Sequence, residues 1–162
     1  YRDKPVTVWD IREDGRIIGV TEELSAQDIY GLGKEIEPFA IASGTRMGHV
    51  HLSVKNSREA SAFYQGSLGL KDKFTIPHAS WIASGNYHHH LAVNEWGGKN
   101  LAPREQGMAG LAYYVVEVEN KEELLKVFAQ SKGNEEIIQW LSSAEFSITD
   151  SDGIVTRVRV GN

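Results

Sequence analysis

Imidazole side chains have the clearest capacity for chemistry in this sequence. Of its six histidines, five fall in two short runs, His49 with His51, and His88 with His89 and His90. Imidazole is a common ligand of transition metals and can act as a base near neutral pH. The two runs therefore predict a metal or catalytic site if both reach one pocket. The alternative that stays open is that they are satisfied or half-exposed polar residues at strand ends.

Spacing constrains how these side chains are presented. Residues two apart on a strand share a face, so we expect His49 and His51 to point the same way. If residues 88–90 belong to a strand, the middle histidine faces away from its two neighbours. Other chemistry is weakly indicated: Gly97-Gly98-Lys99 lacks the frame of a phosphate-binding loop, and there is no HxxxH pair, CxxC pair or nucleophile elbow.

Bulk composition describes an ordinary globular chain. The 162 residues are 41% hydrophobic and 24% charged, with a net charge of -5 at pH 7, which is enough for about one domain. The acidic balance argues against nucleic acid or an anionic membrane as a partner. The absence of cysteine excludes disulfides, thiolate metal sites and cysteine nucleophiles. No signal segment or apolar span is evident, which favours the cytoplasm.

The elements that must position the histidines occur in a repeated order. Helix-capping signals at Asn56 and Asn120 each precede helical spacing of apolar residues, which ends near Gly69 and Gly133 respectively. Strands are predicted at residues 49–54, 70–76, 80–83 and 88–93, and again at 111–118, 136–140, 145–149 and 154–160.

This order is βαβββ twice, and it predicts an α+β fold. The half-modules span residues 47–96 and 110–161, joined by a connection that contains glycine and proline. Duplication of one supersecondary unit carries more weight than any single strand assignment. The alternative is an α+β domain with unrelated halves.

Residues 1–46 do not form a self-sufficient fold on this interpretation. Ser25 is expected to cap a short helix through about Leu32, and Gly33 and Pro38 then interrupt the pattern. The segment is predicted to be a tail and linker, with an extended arm able to lie on a neighbouring surface.

Several stretches resemble a known family. They are Met47-Gly48-His49-Val50-His51, Ala62-Phe63-Tyr64 with Leu68-Gly69-Leu70, Gly85-Asn86-Tyr87-His88-His89-His90-Leu91, Asn94-Glu95-Trp96-Gly97-Gly98-Lys99, and the turn Asp150-Ser151-Asp152-Gly153 before the last strand. Together they resemble the glyoxalase/bleomycin-resistance/extradiol-dioxygenase (vicinal-oxygen-chelate) superfamily, and within it the C-terminal module of a catechol 2,3-dioxygenase-like, two-module protein.

The resemblance implies a fold and a position in a parent chain. Each module of the family is a curved, partly closed mixed sheet with helices on its outer face and the active site inside. Residues 47–162 are expected to form that module. Residues 1–46 resemble the end of a preceding module plus the linker, which would account for a chain whose only methionines are Met47 and Met108.

The resemblance also implies a metal centre, from which this sequence departs. The family holds Fe(II) or another divalent metal with two histidines and a glutamate. These positions fall on His49, Tyr113 and Arg157, and the catalytic base falls on His89. Arginine has no lone pair to offer, and its charge repels a cation by about 1 to 4 kcal/mol at 4 Å. Whether Arg157 points inward is left open, because valine occurs on both faces of the strand, at Val155 on one face and at Val158 and Val160 on the other.

Three functional hypotheses follow. In the first, the pocket, lined by His51, His88, His90, Tyr113 and Arg157, has lost the Fe(II) triad and binds a small aromatic or anionic ligand. In the second, a metal still binds through His49 and other histidines, and the activity is that of an extradiol dioxygenase or a glyoxalase- or lyase-type enzyme. In the third, the module is non-catalytic and serves pairing. A homo-oligomer that also packs against the preceding module is expected, with no nucleic-acid or membrane partner.

Overall fold

The computed structural model describes residues 4–19, 23, 25–33, 38, 40–98, 100–102, 105, 107–133 and 137–161. Over these residues the chain is α+β, with two four-stranded mixed sheets and helices packed on them, which confirms the predicted fold class. None of the helices in these ranges combines the length and apolar character needed to cross a bilayer.

The N-terminal segment contains short elements. They are a 3-10 helix at Val6–Val8, strand β1 at Asp10–Ile11, strand β2 at Ile17–Ile18 and helix α1 at Ala26–Leu32. β1 and β2 pair antiparallel, and a glycine with φ of 82°, Gly15, makes the turn between them. Ile17 is buried, and β2 packs beside the first half-module's strand β4. The predicted short helix after Ser25 is confirmed, with Ser25 at the N-cap position, but its side chain makes no capping hydrogen bond.

The first βαβββ unit is built around a well-capped helix. Its elements are β3 Val50–Ser53, α2 Ser57–Leu68, β4 Lys71–Ile76, β5 Ala79–Ala83 and β6 Leu91–Asn94. The Asn56 side chain accepts from the backbone N–H of Arg58 at 3.0 Å and of Glu59 at 3.2 Å. Two of the free N–H groups at the start of α2 are thereby satisfied. Gly69, with φ of 69°, ends the helix.

The second unit repeats the first. Its elements are β7 Tyr114–Val118, α3 Lys121–Ser131, β8 Ile137–Ser142, β9 Glu145–Thr149 and β10 Val155–Val160. The Asn120 side chain caps α3 by accepting from Glu123 N–H at 3.0 Å.

Strand order is the same in both sheets, β3-β6-β5-β4 and β7-β10-β9-β8. In each sheet the first strand of the unit runs parallel to the last, and the remaining neighbours are antiparallel. This identity is what duplication predicts, and it argues against unrelated halves.

Two predicted strands begin later than expected, and both changes affect candidate residues. β6 starts at Leu91 rather than residue 88, because the turn that begins at Gly85, with φ of 61°, continues as a loop. β7 starts at Tyr114 rather than residue 111. The triple-histidine run therefore lies in a loop, and Tyr113 directly precedes a strand.

The core lies between the sheets and the two longer helices. α2 and α3 pack against each other as well as on their own sheets. Leu52, Val93, Leu124 and Val158 belong to this single apolar cluster, and full burial of such a side chain contributes about 1.5–3 kcal/mol. The halves are further joined by Tyr64 of α2, whose hydroxyl donates to Asp150 at 2.6 Å.

Candidate metal and ligand site

Three histidines of the first half lie close together. Their ligand atoms, one each from His49, His51 and His89, are all within 4.8 Å of one another. Nε2 of His51 is 3.3 Å from Nε2 of His89, and the rings of His49 and His89 have centroids 4.3 Å apart. Strand pairing explains the convergence: Val50 pairs with Leu91 in the parallel β3–β6 register, so the residues that precede both strands meet at one edge.

His88 supports this group from the side. Its Nδ1 lies 2.8 Å from Nδ1 of His89, and its ring is 5.9 Å from that of His49. The indole of Trp9, from the N-terminal segment, packs edge-on to His88 at 5.0 Å. The expectation that His89 faces away from His88 is therefore wrong, because both lie in a loop and strand alternation does not apply.

His90 has a different role from its neighbours. Its Nδ1 accepts a hydrogen bond from the backbone N–H of Ser84 at 3.2 Å, and its ring lies 4.9 Å from that of Tyr87. Burial, and to a lesser degree the positive charge of His88, lowers the pKa of His90. It shapes the loop rather than joining the three-histidine group.

The protonation state of His51 favours ligation. Burial is the main cause that lowers the pKa of His51, and a positive charge on His49 adds to it. A lowered pKa keeps imidazole neutral at neutral pH, and only the neutral ring has a lone pair for a metal.

Tyr113 and Arg157, on which the resemblance places the second and third triad ligands, form a cation–π pair. Tyr113 precedes β7 and Arg157 lies within β10, with the guanidinium carbon 3.8 Å from the centre of the tyrosine ring. Nη1 of Arg157 also lies 3.6 Å from the Glu145 carboxylate on the neighbouring strand. The two positions thus contact each other and a carboxylate of the same half.

The facing of Arg157 can now be determined. Its neighbours Thr156 and Val158 are fully buried, and Val158 belongs to the helix-side core. Because side chains alternate along a strand, Arg157 lies on the opposite face, in register with Val115 and Ser147. Arg157 therefore faces away from the helices.

A cleft runs between the two half-modules. It has a volume of about 260 Å³ and is lined by residues 47–50 on one side and residues 114–117 on the other, with His90 also contributing. His49 is one of its lining residues, and the Nδ1 of His49 is shielded from solvent. Both halves therefore form one shared cavity beside the histidine group.

The resemblance places the family's metal triad on His49, Tyr113 and Arg157. Of these three residues, His49 is the one that carries a histidine or glutamate side chain of the family type. Tyr113 is covered by a guanidinium at 3.8 Å, and Arg157 brings a positive charge without a lone pair. The three-histidine group does fit a divalent metal, because it offers nitrogen donors from close and partly shielded positions.

Part of this arrangement was not anticipated. The sequence predicts that His51 lies in the pocket and shares a face with His49, but it leaves open which other histidines join His49 as metal ligands. Trp9 and Glu145 were missed altogether. No local pattern points to either of them, because each reaches the site through pairing or packing distant in sequence.

The comparisons with known proteins bear on the same region. Residues 46–158 match the Glyoxalase/Bleomycin resistance protein/Dioxygenase superfamily. This chain belongs to that superfamily. The family resemblance drawn from the sequence stretches is thereby confirmed.

One curated relative of this superfamily chain is the catechol-2,3-dioxygenase of Bacillus subtilis (strain 168). It is 34% identical over 129 residues, which cover 76% of this chain and 44% of the relative. The chain therefore spans less than half the length of that relative.

Solved structures of the superfamily share the fold at low identity. A glyoxalase/dioxygenase from Nostoc punctiforme matches with a TM-score of 0.59 and 15% identity, over 76% of this chain and 97% of its own. Lactoylglutathione lyase from Agrobacterium tumefaciens matches with a TM-score of 0.54 and 16% identity, over 74% of this chain and 96% of its own. The fosfomycin resistance protein FosX from Mesorhizobium loti matches with a TM-score of 0.54 and 7% identity, over 75% of this chain and 95% of its own.

Proposed function

We propose that this superfamily member binds a small anionic aromatic ligand of the catecholate type at Arg157 and Tyr113, on the face of the second half-module away from the helices, and that it does not cleave such a ligand through the family's Fe(II) triad. The observation that carries the proposal is the Arg157–Tyr113 pair, with its 3.8 Å contact, at two of the three triad positions. The guanidinium offers a metal no lone pair, whereas its N–H groups can donate to an anion.

Arg157 has the donors that such a ligand needs. Its 3.6 Å separation from Glu145 is longer than a hydrogen bond, so the guanidinium can still present parallel N–H groups. Two adjacent oxygens on an aromatic ring match that planar fork in the way a carboxylate does. The name of the Bacillus subtilis relative, catechol-2,3-dioxygenase, supports the same ligand class.

Calorimetric titration of the full chain with catechol and 3,4-dihydroxybenzoate, in the presence of EDTA, tests the binding claim. We expect Arg157→Gln to weaken binding at least about tenfold, which is about 1.4 kcal/mol. Arg159→Gln is the matched control, because Arg159 pairs with Glu117 at 2.7 Å. No binding by the unaltered chain, or equal losses in the two variants, would contradict the proposal.

A ring-cleavage assay tests the second part. With added Fe(II) and dioxygen, we expect catechol to be recovered unchanged. Formation of a ring-cleaved product that requires Fe(II) would overturn this part without affecting the binding result.

A metal-dependent activity is the second candidate, either ring cleavage or a glyoxalase- or lyase-type reaction. The convergence of His49, His51 and His89 favours it. When bound there, a divalent metal would supply Lewis-acid polarisation of a ligand oxygen. Metal-dependent turnover that is lost in His49→Ala would support this candidate over the first.

The wider setting is also a proposal. Residues 47–162 would form the superfamily module, and residues 1–46 would be the end of a preceding module with its linker. We propose packing against that module, self-association and a cytoplasmic location. Size-exclusion chromatography with light scattering tests self-association, and a strictly monomeric full chain would exclude it.

A further inference from the structure

The geometry points to a divalent transition-metal site made only of imidazoles, with His49, His51 and His89 as its ligands. All three come from the first half-module. The site would therefore be relocated relative to the triad positions, two of which lie in the second half. It does not depend on ligand binding at Arg157.

The first argument is the spacing of the donors. Zinc–imidazole bonds of about 2.0–2.1 Å in a tetrahedral arrangement set neighbouring ligand nitrogens about 3.3–3.4 Å apart. Nε2 of His51 and Nε2 of His89 lie at 3.3 Å, which is one edge of such a tetrahedron. The His49 ligand atom lies within 4.8 Å of both, a separation that a small rotation about its χ angles can close.

The second argument is orientation by a neighbouring group. A metal-binding histidine usually donates its other ring N–H to an acceptor, which sets the tautomer and aims the lone pair. Nδ1 of His88 lies 2.8 Å from Nδ1 of His89. When His89 donates there, its lone pair is on Nε2, the atom that faces His51. Trp9, 5.0 Å from the His88 ring, restricts that ring in turn.

The third argument concerns what such a site would bind. Three neutral imidazoles leave the full charge of a divalent ion uncompensated, whereas a carboxylate ligand would remove part of it. The ion would therefore attract an anion into its open position, which can lie in the cleft that His49 lines. Zn²⁺ and Co²⁺ suit an all-imidazole donor set.

The experiment is a titration of the full chain, purified with chelator and then dialysed, with Co²⁺ followed by visible absorption and with Zn²⁺ followed by calorimetry. We expect one equivalent of metal and a tetrahedral Co²⁺ spectrum. His51→Gln and His89→Gln should each weaken binding more than about tenfold, because loss of a residue that only supports a ligand already costs about 10–100-fold and loss of a direct ligand should cost at least as much.

His78→Gln is the matched control. His78 is an exposed histidine outside the three-histidine group, and its Nδ1 lies 3.1 Å from the Glu95 carboxylate. Two measurements separate ligand loss from misfolding in each variant. Far-ultraviolet circular dichroism shows whether the variant is folded, and the change in melting temperature on addition of Zn²⁺ shows whether it binds metal. No metal binding by the unaltered chain would overturn the inference. So would binding that His51→Gln leaves equal to that of His78→Gln. Neither result bears on the EDTA-treated titration with catechol, so the two proposals fail separately.

Discussion

The two half-modules share a strand order but present different chemistry on the face away from the helices. In the first half that face carries His49, His51 and the loop residue His89, whose donor atoms converge. In the second half the corresponding surface carries Tyr113, Arg157 and Glu145, which contact one another. The two copies thus share a strand order, and among the described residues the three-histidine group with converging donor atoms lies in the first copy.

The difference teaches which positions are tied to the fold. Residues on the helix side, such as Leu52 in the first half and Val158 in the second, are buried in one core and cannot change without a packing cost. On the opposite face His51 is exposed and Arg157 is partly buried, so a change of side chain at either position costs less packing than a change in the core. The residues that hold the fold together are therefore different from the residues that determine the chemistry of the site.

The largest expected effect comes from restoring family-type ligands to the second half. Arg157→Glu together with Tyr113→His removes the cation and adds two metal ligands at the triad positions. In a His51→Gln background we expect the double change to raise Fe(II) affinity at least about tenfold, or about 1.4 kcal/mol, measured by anaerobic calorimetry.

Arg159→Glu with Tyr113→His is the control for that experiment, since it changes charge on the same strand at a position paired with Glu117. An equal gain in Fe(II) affinity in the control would show that the net charge of the strand governs metal affinity, and not the placement of ligands at positions 113 and 157.

The second prediction compares the helix caps of the two halves. Asn56 satisfies two backbone N–H groups of α2, and Asn120 satisfies one of α3. Loss of a cap costs about 0.5–2 kcal/mol, so Asn56→Ala should lie towards the upper end and Asn120→Ala towards the lower. Urea unfolding measures the loss of unfolding free energy in both variants. Asn100→Ala, in an exposed turn, is the control. A larger loss for Asn120→Ala than for Asn56→Ala would contradict the prediction.

The smallest expected effect is a loss of stability at acid pH that comes from Glu95, in the first half-module. Backbone and side-chain hydrogen bonds from Ser57, followed by the contact with His78, lower the pKa of Glu95 from 4.5 to about 2. Because the folded-state pKa is depressed, the stability that this carboxylate contributes is present above 4.5 and is lost as the pH falls towards 2.

Melting temperatures of the unaltered chain and of Glu95→Gln, measured from about pH 6 downwards, should therefore converge as the pH falls. Glu122→Gln, in the first turn of α3, is the control for the loss of one negative charge. A constant gap between the unaltered chain and Glu95→Gln would refute the assigned role of the carboxylate.

Local signals predicted much of the fold. The capping residues Asn56 and Asn120 stand where the helices begin, and the strand at Glu145–Thr149 has its predicted bounds. Such features depend on short-range hydrogen bonding and side-chain alternation, which a sequence displays directly.

The site was less predictable because it depends on long-range placement. Apolar and polar residues in β10 do not alternate cleanly, so the facing of Arg157 needed the buried position of Val158 to settle it. The histidine run at residues 88–90 has strand-like neighbours but lies in a loop. Trp9 reaches His88 from a segment about eighty residues away, a contact that only packing can reveal.

The most direct test of the relocated centre is a crystal structure of the full chain soaked with Zn²⁺, with anomalous diffraction collected at the zinc edge. We expect a single strong anomalous peak within bonding distance of Nε2 of His51 and Nε2 of His89, with His49 turned towards it. A peak beside Tyr113 and Glu145, or no peak near the three histidines, would contradict the assignment of the metal to the first half-module.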